Sequence, residues 1–259
     1  MEAPFAVELA ASGIAAAAAG FVNAIAGGGT LISFPTLTFL GIPALVANVT
    51  NTVALCPGYL GGAYAQREDL ASQKPTLARL LPVAILGGLS GGLLLMVTSE
   101  ALFRAIVPFL ILLATALLAA QKRLKDWVVA REAEAAREGR RGGPGPLGLL
   151  AVFAAAVYGG YFGAGLGIVL LAVLGAVVDD DLVRVNALKQ AVSLSVNVTA
   201  ALYFLFSGRV LLPIALSMAV FALVGGHVGG KLARRLEADT LRGLVIAAGL
   251  VVSAYYFLR

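Results

Sequence analysis

The sequence predicts an all-α polytopic membrane protein built from two inverted repeats of about five segments each, with short broken or re-entrant helices after the glycine runs. Composition is the first observation behind this prediction. Hydrophobic residues make up 60% of the 259 residues and charged residues only 13%, whereas a soluble domain carries about 25% charged residues. The other two observations are continuous apolar runs and an internal repeat. Such a chain could not cover a globule with polar surface, so its solvent is largely lipid.

The apolar runs have the length and character of membrane helices. About 20 apolar residues cross the hydrocarbon core, which leaves room for eight to ten segments in a chain of this length. The runs are rich in Ala and Leu and do not alternate, which disfavours a barrel. We expect an N-terminal membrane repeat over 1–120, a cytoplasmic linker over 121–146 and a C-terminal membrane repeat over 147–259. The apolar runs lie near 5–26, 30–41, 43–65, 76–98, 101–120, 147–162, 165–178, 183–206, 211–232 and 240–258.

The two halves of the chain match at a fixed offset of 138 positions. No gap is needed from the first glycine run to the last matched arginine, and the block GGLSGG at 87–92 falls on GGHVGG at 225–230. This register indicates an internal duplication. The other matched pairs are Gly27 with Gly165, Gly29 with Gly167, Asn48 with Asn186 and Arg104 with Arg242.

Basic residues predict the orientation of the two repeats. Two stretches, the linker and the loop 231–242, hold clusters of Lys and Arg, and the positive-inside rule places both in the cytoplasm. Counting back from them, segment 43–65 runs inward and its partner 183–206 runs outward, which defines an inverted repeat. Inverted repeats with broken helices are typical of secondary transporters that bind substrate near the bilayer midplane. The basic residues are Lys122, Arg123, Lys125, Arg131, Arg137, Arg140, Arg141, Lys231, Arg234, Arg235 and Arg242.

The glycine runs before the two short segments predict backbone held open for an anion. A helix of about 12 residues covers about 18 Å, so each short helix is expected to begin inside the membrane. Its free N–H groups carry partial positive charge and suit an anion. The alternative is that glycines only permit close helix packing, which we favour for GGLSGG and GGHVGG. The substrate-binding residues predicted at the runs are Gly27, Gly28, Gly29, Thr30, Gly165 and Gly167.

Polar residues open the two segments that follow the short helices. Such groups are rare in lipid unless they face a bundle interior or a water-filled path. Those of the later segment recur at spacings of three and four, which places them on one helix face with Lys189 as the ionised member. The alternative is that Lys189 extends to the cytoplasmic surface. The predicted substrate-binding residues here are Asn48, Asn51, Thr52, Asn186, Lys189, Gln190 and Ser193.

The titratable residues point to transport rather than catalysis. His227 is the only histidine; we favour a packed interhelical donor, and with Lys189 it is the alternative candidate for proton coupling. No His, Cys or carboxylate cluster accompanies it, so we expect no metal, no cofactor and no catalytic set. The net charge of +5 sits mainly in two loops and reports topology rather than a nucleic-acid partner. The single Cys56 excludes an intramolecular disulfide, and the linker is expected to form a short helix followed by a flexible turn.

The segment GFVNAIAGGGTLISFPTLTFLGIPALVANVTNTVALCPGYLGGAYAQRE resembles the N-terminal half of the TauE/SafE family of sulfite-exporter-like transporters. GGYFGAGLGIVLLAVLG and VNALKQAVSLSVNVTAALYFLFSGRV resemble its C-terminal half. The resemblance implies a multi-pass bacterial inner-membrane protein that moves sulfur-containing anions such as sulfite or organosulfonates. A passive anion channel on the same scaffold is the alternative. Which anion is carried, the direction, the coupling ion and the oligomeric state stay open.

Overall fold

The computed structural model describes residues 5–25, 28–138, 143–232 and 238–258. Every regular element within these ranges is a helix. The helices are α1 (Phe5–Ile25), α2 (Thr30–Phe39), α3 (Ala44–Ala65), α4 (Arg67–Ala71), α5 (Lys74–Val97), α6 (Glu100–Arg137), α7 (Pro146–Tyr161), α8 (Leu166–Val177), α9 (Leu182–Leu205), α10 (Leu212–Leu232) and α11 (Ala238–Phe257).

Helix length and surface character confirm a multi-pass membrane protein. Within the described ranges, five helices are long and apolar enough to cross a bilayer, namely α1, α5, α6, α10 and α11. Large apolar side chains stand on the surface, for example Val97 at 81% and Phe206 at 89% exposure, while Asn48 and Ser193 are buried. Apolar groups outside and polar groups inside are the arrangement that lipid favours. The all-α fold class is therefore as the sequence predicts.

Each short helix forms a hairpin with the helix before it. Gly148, near the start of α7, lies against Val177 at the end of α8, and Gly159 lies against Leu166 across the turn. In the other half, Gly29 lies against Ala19 of α1. The chain therefore turns back at both glycine runs. The start of α7 and the end of α8 consequently lie side by side.

The pair α3 and α9 contributes five of the eleven buried polar side chains among the described residues, and the two helices run antiparallel. Gln66, just after α3, accepts a hydrogen bond from Asn186 near the start of α9. Thr50, near the start of α3, accepts one from the backbone N–H of Leu211, which follows α9. The start of each helix thus lies at the end of the other. We call the two ends of this pair the α3-start end and the α9-start end.

The helix boundaries follow the repeat register. Helices α9, α10 and α11 each begin 138 positions after α3, α5 and α6. The contacts are also equivalent, since α1 packs on α10 as α7 packs on α5. Like α3 and α9, the equivalent helices α6 and α11 run antiparallel, because Ser253 bonds the Pro108 carbonyl while Arg242 bonds Gln121. An inversion of the repeats across a bilayer stays a prediction at this point.

Both paired glycine blocks are packing surfaces. A Cβ at Gly91 of α5 would overlap the carbonyl of Val157 in α7, and a Cβ at Gly225 of α10 would overlap that of Ala17 in α1. Backbones that approach so closely exclude any side chain at the interface. The prediction that GGLSGG and GGHVGG permit close packing is confirmed.

The linker differs from the prediction. Its helical part is not a separate short helix but the continuation of α6, which runs unbroken for 38 residues to Arg137. After Pro108, neither Gly nor Pro occurs before Gly139, and Ala, Glu, Lys and Arg are strong helix formers. The side chains of α6 change from apolar to charged along its length, but the helical backbone continues without a break. Four basic residues of the topology argument lie outside the described residues, namely Arg140, Arg141, Arg234 and Arg235.

Candidate functional site

A string of buried polar side chains follows the α3–α9 pair. Asn48 and Asn51 of α3 are 1% and 2% exposed, and Ser193 and Asn197 of α9 are 0% and 5% exposed. Buried polar groups normally find hydrogen-bond partners. Three oxygen atoms in this string have none among the described residues, namely Asn48 Oδ1, Asn51 Oδ1 and Ser193 Oγ. These atoms mark where water or a ligand would complete the bonding.

At the α3-start end, Asn48 joins the string to the second glycine turn. Its Nδ2 donates a hydrogen bond of 2.9 Å to the carbonyl of Tyr161, the last residue of α7. Thr52, one turn further on, donates from its hydroxyl to the Asn48 carbonyl at 3.0 Å. Asn51 makes no side-chain hydrogen bond to a described residue. The α7–α8 turn and the first turns of α3 therefore form one polar region.

The turn between α7 and α8 leaves backbone accessible. Gly163 and Gly165 have positive φ values of 76° and 75°, a conformation that favours glycine. The N–H of Leu166 bonds back to Gly163 at 3.1 Å, whereas that of Gly167 bonds no described residue. No atom lies within 4 Å of a Cβ built on Gly167. At the α7–α8 turn, the backbone N–H of Gly167 is therefore available to an anion, as the sequence predicts.

In the turn between α1 and α2, the N–H of Gly29 already has an acceptor. The N–H of Gly29 donates to Asn23 Oδ1 at 2.7 Å, and a Cβ on Gly29 would lie 2.8 Å from Asn23 Cγ. The prediction that Gly29 offers a free donor is therefore wrong, because the preceding helix supplies the acceptor. Gly28 adopts a φ of 85°, Thr30 begins α2, and the predicted Gly27 lies outside the described residues.

At the α9-start end, Lys189 is the cation of the string. Its Nζ donates to Asn186 Oδ1 at 2.6 Å, and Asn186 Nδ2 donates to Gln66 Oε1 at 2.8 Å. No carboxylate of the described residues pairs with Lys189. The neighbouring Gln190 is half-buried. A half-buried ammonium thus rests on neutral amides alone.

The structure does not bring the predicted residues into one cluster. Because α3 and α9 are antiparallel, the polar residues that open α3 lie at one end of the pair and those that open α9 lie at the other. Ser193 stands between them, one turn beyond Lys189. The string of polar side chains is therefore a line that runs from the α3-start end to the α9-start end, and we call it the polar line. Local sequence spacing alone could not reveal this arrangement.

Comparison with known proteins fits this geometry. The family model described as "Sulfite exporter TauE/SafE" matches residues 12–256, a range that includes most of the α1–α2 hairpin, the α7–α8 hairpin and the whole α3–α9 pair. The chain belongs to the TauE/SafE family. Curated TauE/SafE-like relatives are named as transporters, and no solved structure matches the chain.

Three relatives show how far the likeness extends. A "Probable membrane transporter protein" of Haemophilus influenzae is 26% identical over 91% of this chain and 89% of its own length. The "Probable membrane transporter protein YfcA" of Escherichia coli K12 is 25% identical over 91% of this chain and 84% of its own. The "Probable membrane transporter protein ORF9" of a Sinorhizobium species is 26% identical, with coverages of 93% and 88%. The similarity to these transporters covers nearly the whole TauE/SafE chain, which is therefore a membrane transporter.

His227 lies apart from the polar line of this TauE/SafE protein. It is an exposed residue of α10 and makes no hydrogen bond with the part of the chain that the structure describes. The prediction of a packed interhelical donor is wrong, because the flanking glycines face α1 and leave the histidine on the opposite surface. Within the described ranges, no three His, Cys, Asp or Glu side chains are grouped as a metal site would require.

Sequence reasoning missed two carboxylates that fix the ends of the polar line. Glu100 of α6 accepts the N–H groups of Ala44 and Leu45 at 2.6 and 3.1 Å, at the start of α3. Glu132, near the other end of α6, accepts the N–H of Leu182 at 3.2 Å, at the start of α9. These partners are more than 45 positions apart in sequence, so no local spacing signals them. One helix of the TauE/SafE fold thus holds both polar helices in place.

Proposed function

We propose that this TauE/SafE protein is a secondary transporter that exports small sulfur-containing anions, such as sulfite or organosulfonates, by alternating access between inverted repeats. The observation that carries the proposal is the Lys189 ammonium, whose one hydrogen-bond partner among the described residues is the neutral Asn186. A shielded cation without a carboxylate partner is costly. An oxyanion would supply the missing charge and a charge-assisted hydrogen bond.

The rest of the polar line offers donors that suit an oxyanion. Asn51 and Ser193 have side-chain atoms without partners among the described residues, and the amide and hydroxyl can each turn a hydrogen towards an anion. Gly167 adds a backbone N–H in open space near a helix N-terminus, where partial positive charge collects. These groups are spaced along the path, so the anion would pass from one set of donors to the next.

The antiparallel pairing of equivalent helices supports alternating access. If α3 and α9 both cross the bilayer, their opposite directions make the repeats inverted, and each end of the pair then combines residues of both repeats. Rocking one repeat against the other would open the two ends in turn. An interior-negative membrane potential favours outward movement of an anion by about 2.3 kcal/mol per charge per 100 mV, which is the reason for proposing export.

Counterflow in proteoliposomes tests the proposal. Liposomes that contain purified protein and unlabelled sulfite, taurine or sulfoacetate should accumulate the labelled form of the transported anion. Lys189→Ala should reduce this exchange at least tenfold, because a charge-assisted hydrogen bond contributes about 1.5–3 kcal/mol. Lys125→Ala, which alters an exposed lysine of α6, is the matched control. Exchange that is equal in both variants would contradict the role of Lys189.

A passive anion channel is the second candidate, because the polar residues reach both ends of the α3–α9 pair without gathering at one point. A carrier accelerates uptake when the opposite side holds unlabelled substrate, whereas a channel does not. The counterflow experiment therefore separates the two functions. We propose no catalytic step for this chain.

A further inference from the structure

A cavity lies away from Lys189, at the α3-start end. Its volume is about 480 Å³, and it is bounded by the end of α2, the starts of α3 and α6 and the end of α11. The side chains that matter for its chemistry are Thr38, Phe39, Glu100, Arg104, Tyr255 and Tyr256. The volume is in the range of small-molecule sites, about 300–1,000 Å³.

The two charged side chains of this cavity, Glu100 and Arg104, have different surroundings. Both oxygens of Glu100 accept backbone N–H groups at the start of α3, so its negative charge is directed to the positive end of that helix. Arg104, one turn further along α6, makes no hydrogen bond or ion pair with any described residue. The Tyr256 hydroxyl contacts the Thr38 hydroxyl. The guanidinium of Arg104 is thus the charge left to meet a ligand.

The remaining walls are apolar. Phe39 and Tyr255 meet edge to face with ring centroids 5.1 Å apart, and Ile42 and Pro43 complete the same side. A guanidinium presents paired donors to carboxylates and related oxyanions, while the rings favour carbon. The cavity therefore combines a head-group partner with an apolar surface for a short tail.

We propose that this cavity is an anion-binding site for small organic sulfonates or carboxylates, with the acidic head on Arg104 and the carbon tail against Phe39 and Tyr255. Ala44 lines the cavity, and Asn48 follows one turn later on α3, so the cavity lies one helical turn from the polar line. It shares no residue with the Lys189 region. Binding here does not depend on the export function proposed above.

Paired thiol reagents test the site in detergent-solubilised protein. A single cysteine is placed on the cavity wall by Ala101→Cys in a Cys56→Ser background. It is then modified by the anionic sulfonatoethyl methanethiosulfonate and by its cationic trimethylammonium-ethyl counterpart. Arg104→Gln should lower the anion-to-cation rate ratio about fivefold, as expected for one charge at roughly 8 Å in a water-like dielectric. Arg209→Gln, which alters an exposed arginine outside the cavity, should leave the ratio unchanged.

Protection by free anions gives the second readout. Methanesulfonate and acetate should slow modification by the cationic reagent when Arg104 is present and not after Arg104→Gln, and the better protector identifies the preferred head group. An unchanged rate ratio after Arg104→Gln would overturn the proposal. A lowered ratio with no protection by either anion would also overturn it, because the cavity would then be only a positive surface. Neither readout depends on transport, so both remain valid if counterflow fails.

Discussion

Removing the Glu100 carboxylate should loosen the start of α3. In the wild-type protein its two oxygens accept the N–H groups of Ala44 and Leu45 at 2.6 and 3.1 Å. Hydrogen bonds to a charged group contribute about 1.5–3 kcal/mol each when they are well shielded, and the helix dipole adds about 0.3–1 kcal/mol. Glu100 is an exposed residue, so we expect Glu100→Ala to lower the free energy of unfolding by about 1–3 kcal/mol after discounting for solvent.

Thermal unfolding in detergent measures this effect. For a chain of this length, 1 kcal/mol corresponds to about 2–4 °C in Tm, so Glu100→Ala should lower the Tm by several degrees. Glu100→Gln keeps one carbonyl acceptor and should lower it less. Glu68→Ala is the control, since the Glu68 side chain is 89% exposed and its one ion pair among the described residues is with Arg67, at 3.6 Å. A Tm for Glu100→Ala that equals the control would refute the capping argument.

Two further substitutions test packing and access. Gly225→Ala should lower the Tm because its methyl group would overlap the Ala17 carbonyl; overpacking of this kind typically costs about 1–3 kcal/mol of stability. Gly226→Ala, whose Cβ lies 3.7 Å from the nearest atom, should leave the Tm equal or higher. Equal losses of Tm in both variants would contradict the packing of Gly225 on α1. Gly167→Leu places a side chain in open space beside the α7–α8 turn and should block counterflow with little change in Tm. Gly29→Leu should prevent folding, because Ala19 already occupies the space beside Gly29. Unimpaired exchange in Gly167→Leu would exclude the α7–α8 turn from the transport path.

The sequence was sufficient to predict the helices because their ends carry local signals. Charges, glycines and prolines bound every apolar run, and the register between the halves locates α9, α10 and α11 from α3, α5 and α6. Packing at GGLSGG and GGHVGG was also predictable, since glycines four positions apart share one helix face. The end of α6 was not, because the change to charged side chains after Ala120 alters hydropathy without interrupting backbone bonding.

Contacts across the fold could not be predicted from local spacing. Asn23 satisfies Gly29 only because the chain turns back between them, and Asn48 meets Tyr161 at a separation of 113 positions. The polar residues of α3 and α9 looked like one site because the repeat register superimposes them. Antiparallel packing separates them instead. The prediction that His227 is packed between helices was wrong because the glycine block places one face of α10 against α1. His227 does not lie on that face.

The continuous helix α6 links the beginnings of α3 and α9. Glu100 and Glu132 are 32 positions apart, or about 48 Å along a straight helix, and each holds the first turn of a different central helix. If α6 moves as one rigid body, it cannot tilt at one end alone. If it pivots near its middle, any swing that draws the beginning of α3 sideways pushes the beginning of α9 the other way.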